Sequence, residues 1–148
     1  MVMKQFLQQL DTGRIERAIA DAERVTSGEI RVVFQPGKVE SATHLASTEF
    51  TRLGMRATRE RNAVLILVAP DARQFAVYGD EGVHARCGDS FWQAVAAAME
   101  EKFRAGDQTG AVVEGTARIG QLLAKEFPRR TDDRDELAND VVQHPPVI

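Results

Sequence analysis

The chain has 148 residues, 43% of them hydrophobic and 28% charged, with a formal net charge of −3, the profile of one ordinary globular domain. The negative balance argues against nucleic-acid binding driven by summed positive charge, and no apolar run of about 18 residues is present to span a membrane. The single cysteine, Cys87, excludes an internal disulfide and a four-cysteine zinc site.

The opening residues, MVMKQFLQQLDTGRIERAI, lack the apolar centre and small-residue cleavage site of a secretory signal. A cytoplasmic location is therefore expected, if need be at the periphery of a membrane. Met3 to Gln9 reads as a short helical turn, and Asp11 or Thr12 as the cap of the helix that follows. Along that helix Ile15, Ala18, Ile19, Ala22 and Val25 recur at helical spacing and are expected to face inward. Thr26-Ser27-Gly28 breaks it. Glu29–Phe34, β-branched and aromatic, predicts a strand that Pro36-Gly37 ends. Ala42, Leu45, Ala46, Glu49, Phe50 and Leu53 mark the next helix, with Gly54 where a C-terminal glycine cap belongs.

A loop carrying Arg56, Arg59 and Arg61 leads into Ala63–Ala69, seven apolar residues in a row. That run is too short for a free-standing helix and predicts a strand covered on both faces. Strand, helix and strand in this order predict a parallel pair with a right-handed crossover. Pro70–Arg73 supplies turn chemistry and Gln74–Tyr78 a returning strand, so the sheet is mixed. A turn centred near Asp71 would bring Asn62 and Asp80 onto adjacent strands at one edge.

Asp80–Asp89 shows no clear period and reads as a loop. Asp89 or Ser90 then caps a helix whose apolar side is Trp92, Val95, Ala96, Met99 and Phe103, ended by Gly106. Thr109 is expected to cap a last helix carrying Val112, Val113, Thr116, Ile119, Leu122, Leu123 and Phe127 inward. Gly115 and Gly120 inside it cost roughly 1 kcal/mol each relative to Ala, so close helix approach is their expected role. Residues 1–127 thus form one α/β domain. Residues 128–148 hold three Arg against five Asp or Glu, so −2 of the net charge lies there, and the stretch is expected to be a loosely ordered acidic tail.

Topology gathers polar groups at one edge. The Thr26–Gly28 turn enters the first strand there, the arginine loop enters the central one, and the segment after Gly79 leaves the third. The edge would hold Thr26, Glu29, Arg56, Arg59, Arg61, Asn62, Asp80, Glu81, His84 and Asp89. Carboxylates and an amide carbonyl from separate loops suit a hard divalent cation, Ca²⁺ or Mg²⁺, which takes oxygen ligands; Glu29, Asn62, Asp80 and Glu81 are the metal candidates. The plainer reading makes Glu29 a strand-end charge, Asn62 a turn residue and Asp80-Glu81-Gly82 an ordinary loop. The opposite edge offers Gln35, Gly37, Lys38, Asp71 and Arg73, where open α/β sheets usually bind ligands. His84 and Cys87 are too few for a zinc site, and neither a nucleophile elbow nor a phosphate loop is present.

Three segments in order carry a resemblance: Thr26-Ser27-Gly28-Glu29-Ile30-Arg31-Val32, Arg61-Asn62-Ala63-Val64-Leu65-Ile66, and Phe75-Ala76-Val77-Tyr78-Gly79-Asp80-Glu81-Gly82. With Phe103-Arg104-Ala105-Gly106, Gly115 and Ile119-Gly120 they make the region from Ile15 to Phe127 resemble the TPM domain family, named for a thylakoid acid phosphatase, a photosystem II repair protein and a receptor modulator. The tail is similar to that of short bacterial stand-alone members. Ala63 departs from a glycine common in the family. The resemblance implies a three-layer α/β/α sandwich. It also implies divalent-cation binding and acid phosphatase activity for some members, and for others a role in assembling or repairing membrane complexes.

Two readings follow. One is a non-catalytic module that binds Ca²⁺ or Mg²⁺ and a protein partner in the upkeep of a membrane complex. The other is a weak metal-assisted phosphomonoesterase, in which Asp80 or Glu29 serves as base or nucleophile and Arg59 or Arg61 steadies developing charge.

Overall fold

The computed structural model of the protein describes residues 2–129 and 141–143. The chain runs α1 (Val2–Gln9), α2 (Thr12–Arg24), β1 (Glu29–Phe34), α3 (Ala42–Arg52), β2 (Ala63–Ala69), a 3-10 turn (Pro70–Ala72), β3 (Gln74–Gly79), α4 (Glu81–Arg86), α5 (Asp89–Arg104), α6 (Gln108–Glu126) and β4 (Val141–Gln143). The sheet has the order β3-β2-β1-β4. β1 and β2 run parallel with Glu29 beside Ala63, while β3 returns antiparallel with Val64 opposite Gly79. The two strands read from their β-branched runs have the bounds the sequence predicts.

β2 is buried along its whole length, which is why it shows no polar alternation: both its faces are covered. On one face Ile30, Val32, Phe34, Val64, Ile66 and Val68 pack with Ile15, Ile19, Val95, Met99, Val112, Ile119 and Leu123 from α2, α5 and α6. On the other, Val33, Ala63, Leu65 and Leu67 meet Ala42, Ala46 and Phe50 of α3. The result is the three-layer α/β/α sandwich with a mixed sheet. Gly115 and Gly120 do permit close helix approach: a Cβ at Gly115 would stand 2.5 Å from Met99 Sδ, and one at Gly120 would stand 2.6 Å from Ala22 Cβ.

Several local expectations are corrected. The stretch after Asp80 is not a loop but α4, capped by Asp80, whose side chain accepts from Glu81 N; six residues with one buried side chain, Val83, are too few to show a period. Val25 does not face inward: it is the C-cap of α2 and 52% exposed, because the helical stripe has already ended. Asp107, not Thr109, caps α6 by accepting from Gly110 N, and Gly88 rather than Asp89 or Ser90 precedes α5. Thr109 Oγ1 instead accepts from Asp11 N at 3.1 Å, tying α2 to α6. Most of the acidic tail lies outside the described residues. Of its described residues, Pro128 bridges to Thr26 and Arg129 N–H donates to Val25 O at 3.3 Å, while Val141–Gln143 pairs parallel with β1, since β1 without it would present an open edge to solvent.

Candidate functional site

Register decides what the polar edge becomes. The hairpin centre falls between Asp71 and Ala72, so Asp80 stands opposite Ala63 and donates its N–H to Ala63 O at 2.9 Å. With Glu29 beside Ala63 on the other side, Glu29, Ala63 and Asp80 form one transverse row over three strands. Interstrand spacing puts the two outer Cα atoms roughly 10 Å apart. By strand alternation both acids face α3, on either side of Ala63. Both are buried, Glu29 at 3% exposure and Asp80 at 0%.

Two arginines hold Asp80. Arg61 closes a fork on it, Nε to Oδ2 at 2.7 Å and Nη2 to Oδ1 at 2.9 Å, while Arg56 Nη1 donates to Oδ1 at 3.2 Å. Arg61 Nη1 continues to Glu81 Oε1 at 2.9 Å. The hydrogen bond to Asp80 raises the Arg61 pKa above its ordinary value, against the smaller opposing effect of burial. Arg56 also donates to the Tyr78 hydroxyl at 3.1 Å and lies over the Phe50 and Tyr78 rings. The Arg56 hydrogen bond, then one with Ser47, lowers the Tyr78 pKa from its usual value of 10.0, although burial pushes the other way.

Asn62 turns elsewhere. It is 1% exposed; its Nδ2 donates to Ser27 Oγ at 3.1 Å and Glu60 Oε2 at 3.4 Å, and its backbone N–H donates to Thr58 Oγ1 at 3.2 Å. Its Oδ1 is buried and accepts no hydrogen bond among the described residues. The Asn62 and Asp80 groups are therefore neighbouring clusters, joined through the 58–62 loop and α4. Gly82 locks that junction. Its N–H donates to Arg61 O at 2.9 Å, and a Cβ there would lie 2.2 Å from Glu60 O and 2.5 Å from Arg61 O. Arg61 sits at φ 52, a left-handed conformation costly for any residue but glycine.

The other edge residues divide. Thr26 is structural: its single hydroxyl hydrogen is shared between Leu123 O, at 2.9 Å, and Phe127 O, anchoring the end of α6. Arg59, His84 and Asp89 are exposed, and His84 lies beside the Tyr78 and Trp92 rings. Ser27, Thr58, Glu60 and Gly82 were not singled out in the sequence. The S-G-E, T-R-E-R-N and D-E-G strings hold them, but only their meeting in space marks them. At the opposite edge Asp71 Oδ2 accepts from Gly37 N at 2.7 Å, a turn contact. A groove of about 890 Å³ opens nearby over Phe6, Phe75 and Phe103.

Among the described residues no three histidine, cysteine or carboxylate side chains already stand as a ligating group. The donor chemistry still fits a hard cation, because Asn62 Oδ1 is a buried acceptor in want of a donor or an ion and Glu29, Asp80 and Glu81 supply carboxylates. Asp80 and Glu81 join only if Arg61 gives way.

Fold and rim together define an α/β/α module with an acid, amide and arginine edge at the start of its parallel strands. A family model described as the TPM domain matches residues 2–122, and the chain belongs to the TPM domain family. The chain is similar to the BA42 protein of the psychrophilic bacterium Bizionia argentinensis, solved by NMR. The two are 36% identical with a TM-score of 0.83, over 91% of this chain and 95% of that one. The N-terminal domain of the cg2496 protein from Corynebacterium glutamicum shares the fold at 16% identity, with a TM-score of 0.63 over 87% of this chain and 82% of that one. An N-terminal domain from P. gingivalis does so at 22% identity, with a TM-score of 0.58 over 78% and 72%. No match is found among curated proteins. No described helix is long and apolar enough to cross a membrane.

Proposed function

We propose that the rim binds a divalent cation, Ca²⁺ or Mg²⁺, with Glu29, Asn62, Asp80 and Glu81 as its candidate oxygen ligands, Asn62 joining the acids only by turning from its own cluster with Ser27 and Glu60, and that the domain is a non-catalytic module engaging a protein partner in the assembly or maintenance of a membrane complex. The observation that carries the cation reading is Asn62 Oδ1, a buried amide oxygen with no hydrogen-bond donor among the described residues, beside an edge with two further buried acids. Hard cations take such carbonyl oxygens together with carboxylates and water. A bound ion supplies fixed positive charge, and the chain's own part is to tie the starts of β1 and β2 to the N-terminus of α4. The exposed Arg59 and His84 border this edge and offer surface to a partner.

Hydrolysis has less support. Asp80, the carboxylate a phosphomonoesterase would use as base or nucleophile, already accepts from Arg56 Nη1, Arg61 Nε, Arg61 Nη2 and Glu81 N. Attack on phosphorus or uptake of a proton needs that carboxylate freed of most of these donors, whereas an ion needs only Arg61 to leave it. Titrating Ca²⁺ and Mg²⁺ while following backbone amide shifts and melting temperature tests the proposal. Shifts centred on Glu29, Asn62 and Asp80, with a rise in Tm that Asp80→Ala removes, are the expected result. Rim amides that ignore the ion at about 10 mM, a concentration covering even weak protein sites, overturn it. Steady hydrolysis of p-nitrophenyl phosphate would favour the catalytic reading instead.

A further inference from the structure

We infer that Arg61 sets which ions the rim accepts: its guanidinium stands where the ion would go, and only a divalent cation displaces it. The inference rests on the cation reading above and adds a residue that selects the ligand. One guanidinium touches both carboxylates that Asp80 and Glu81 would offer, at 2.7 and 2.9 Å to Asp80 and 2.9 Å to Glu81. An ion bridging the two carboxylates would need the space that the guanidinium fills.

The exchange is a movement of the side chain alone. The Arg61 backbone is pinned, its N–H donating to Thr58 O at 3.3 Å and its carbonyl accepting from Gly82 at 2.9 Å. The side chain is 35% exposed, so the head reaches water by rotating about its own bonds and loses little hydration on the way. Asp80 is not abandoned when it leaves, since Arg56 Nη1 and the Glu81 amide remain.

Charge supplies the selectivity. Asp80 and Glu81 against Arg56 and Arg61 sum to zero. A monovalent ion in place of Arg61 restores that same charge without the fork's three hydrogen bonds, and so gains nothing. A divalent ion brings one elementary charge more than the guanidinium it replaces to the same two carboxylates. Since an occupied site lowers apparent affinity by the fraction of molecules that are open, removing Arg61 must tighten divalent binding.

The test uses Ca²⁺, Mg²⁺ and K⁺ with the wild-type chain and Arg61→Gln. Calorimetry reads affinity, and the Arg61 Nε–Hε resonance, assigned by its loss in R61Q, reports on the fork in the wild type. Divalent ions should move or broaden that resonance while K⁺ leaves it in place, and R61Q should bind the divalent ion about tenfold more tightly or better. A response in R61Q where the wild type shows none means that the ion does not displace Arg61, and overturns the inference. If R61Q fails to fold, the wild-type resonance under Ca²⁺ and K⁺ still decides, assigned by side-chain correlation. Divalent binding with the Arg61 resonance unmoved and R61Q no tighter overturns the inference and leaves the cation reading standing. Silence from both proteins overturns both, and displacement by K⁺ as readily as by Ca²⁺ overturns the selectivity.

Discussion

Replacing Asp80 by alanine is the most informative perturbation of stability. The side chain is fully buried, caps α4 through Glu81 N and receives both guanidiniums. Loss of the cap costs about 1 kcal/mol. Breaking a buried ion pair from one side costs about 3–5 kcal/mol when the remaining charge is stranded. Here Arg56 and Arg61 are 38% and 35% exposed, so they rehydrate and only a fraction of that penalty applies. The expected total is about 2–3 kcal/mol. Urea denaturation should show it as a lower midpoint with an unchanged slope. Asp80→Asn, which keeps an oxygen for the cap and loses the charge, should fall between wild type and D80A. A D80A loss below about 1 kcal/mol, within the range of exposed ion pairs, would refute the view that this carboxylate is the keystone of the rim.

Other outcomes follow from the same contacts. Gly82→Ala should destabilise by about 1–3 kcal/mol and shift the amides of residues 58–62, because its Cβ meets two backbone carbonyls; unchanged shifts there would contradict the locked junction. Gly120→Ala should cost more than Gly115→Ala in thermal denaturation. The Ala22 Cβ and backbone must yield to the first, whereas the Met99 thioether can turn aside for the second; equal losses would count against close α2–α6 packing. Tyr78 is the chain's single tyrosine, so phenolate absorbance reads it cleanly. Its lowered pKa means that the unfolded chain binds more protons between the folded and unfolded values. Tyr78 therefore adds stability as pH rises through the window just below 10 and loses it as pH falls through the folded value. Arg56→Met should raise that pKa, and a titration curve unchanged in R56M would show that Arg56 is not the cause. Burial raises the Cys87 pKa, with Glu126 adding to it, so a disulfide reagent at neutral pH should react more slowly than with a small free thiol.

Much of the architecture was legible in the sequence because local rules suffice for it. Seven apolar residues at Ala63–Ala69 can only be a strand buried on both faces, and glycine at 54 and 106 takes the positive φ that ends a helix. α4 escaped because six residues do not complete two turns, and the caps at Asp107 and Gly88 were misplaced because neighbouring Asp, Ser and Thr are near equivalent as caps until the backbone selects one.

The residues of the site were visible and their arrangement was not. Composition and order put Glu29, Arg61, Asn62, Asp80 and Glu81 at the same edge of the fold. Pairing register then placed Asp80 opposite Ala63, one position from the expected partner, and a strand's period of two gives a single step the power to change which groups meet. Only the tertiary structure could turn the neighbouring acids into a carboxylate clasped by two arginines, with the Asn62 oxygen left buried beside it. Contacts between residues far apart in the chain depend on how strands and helices dock, and no local propensity carries that information.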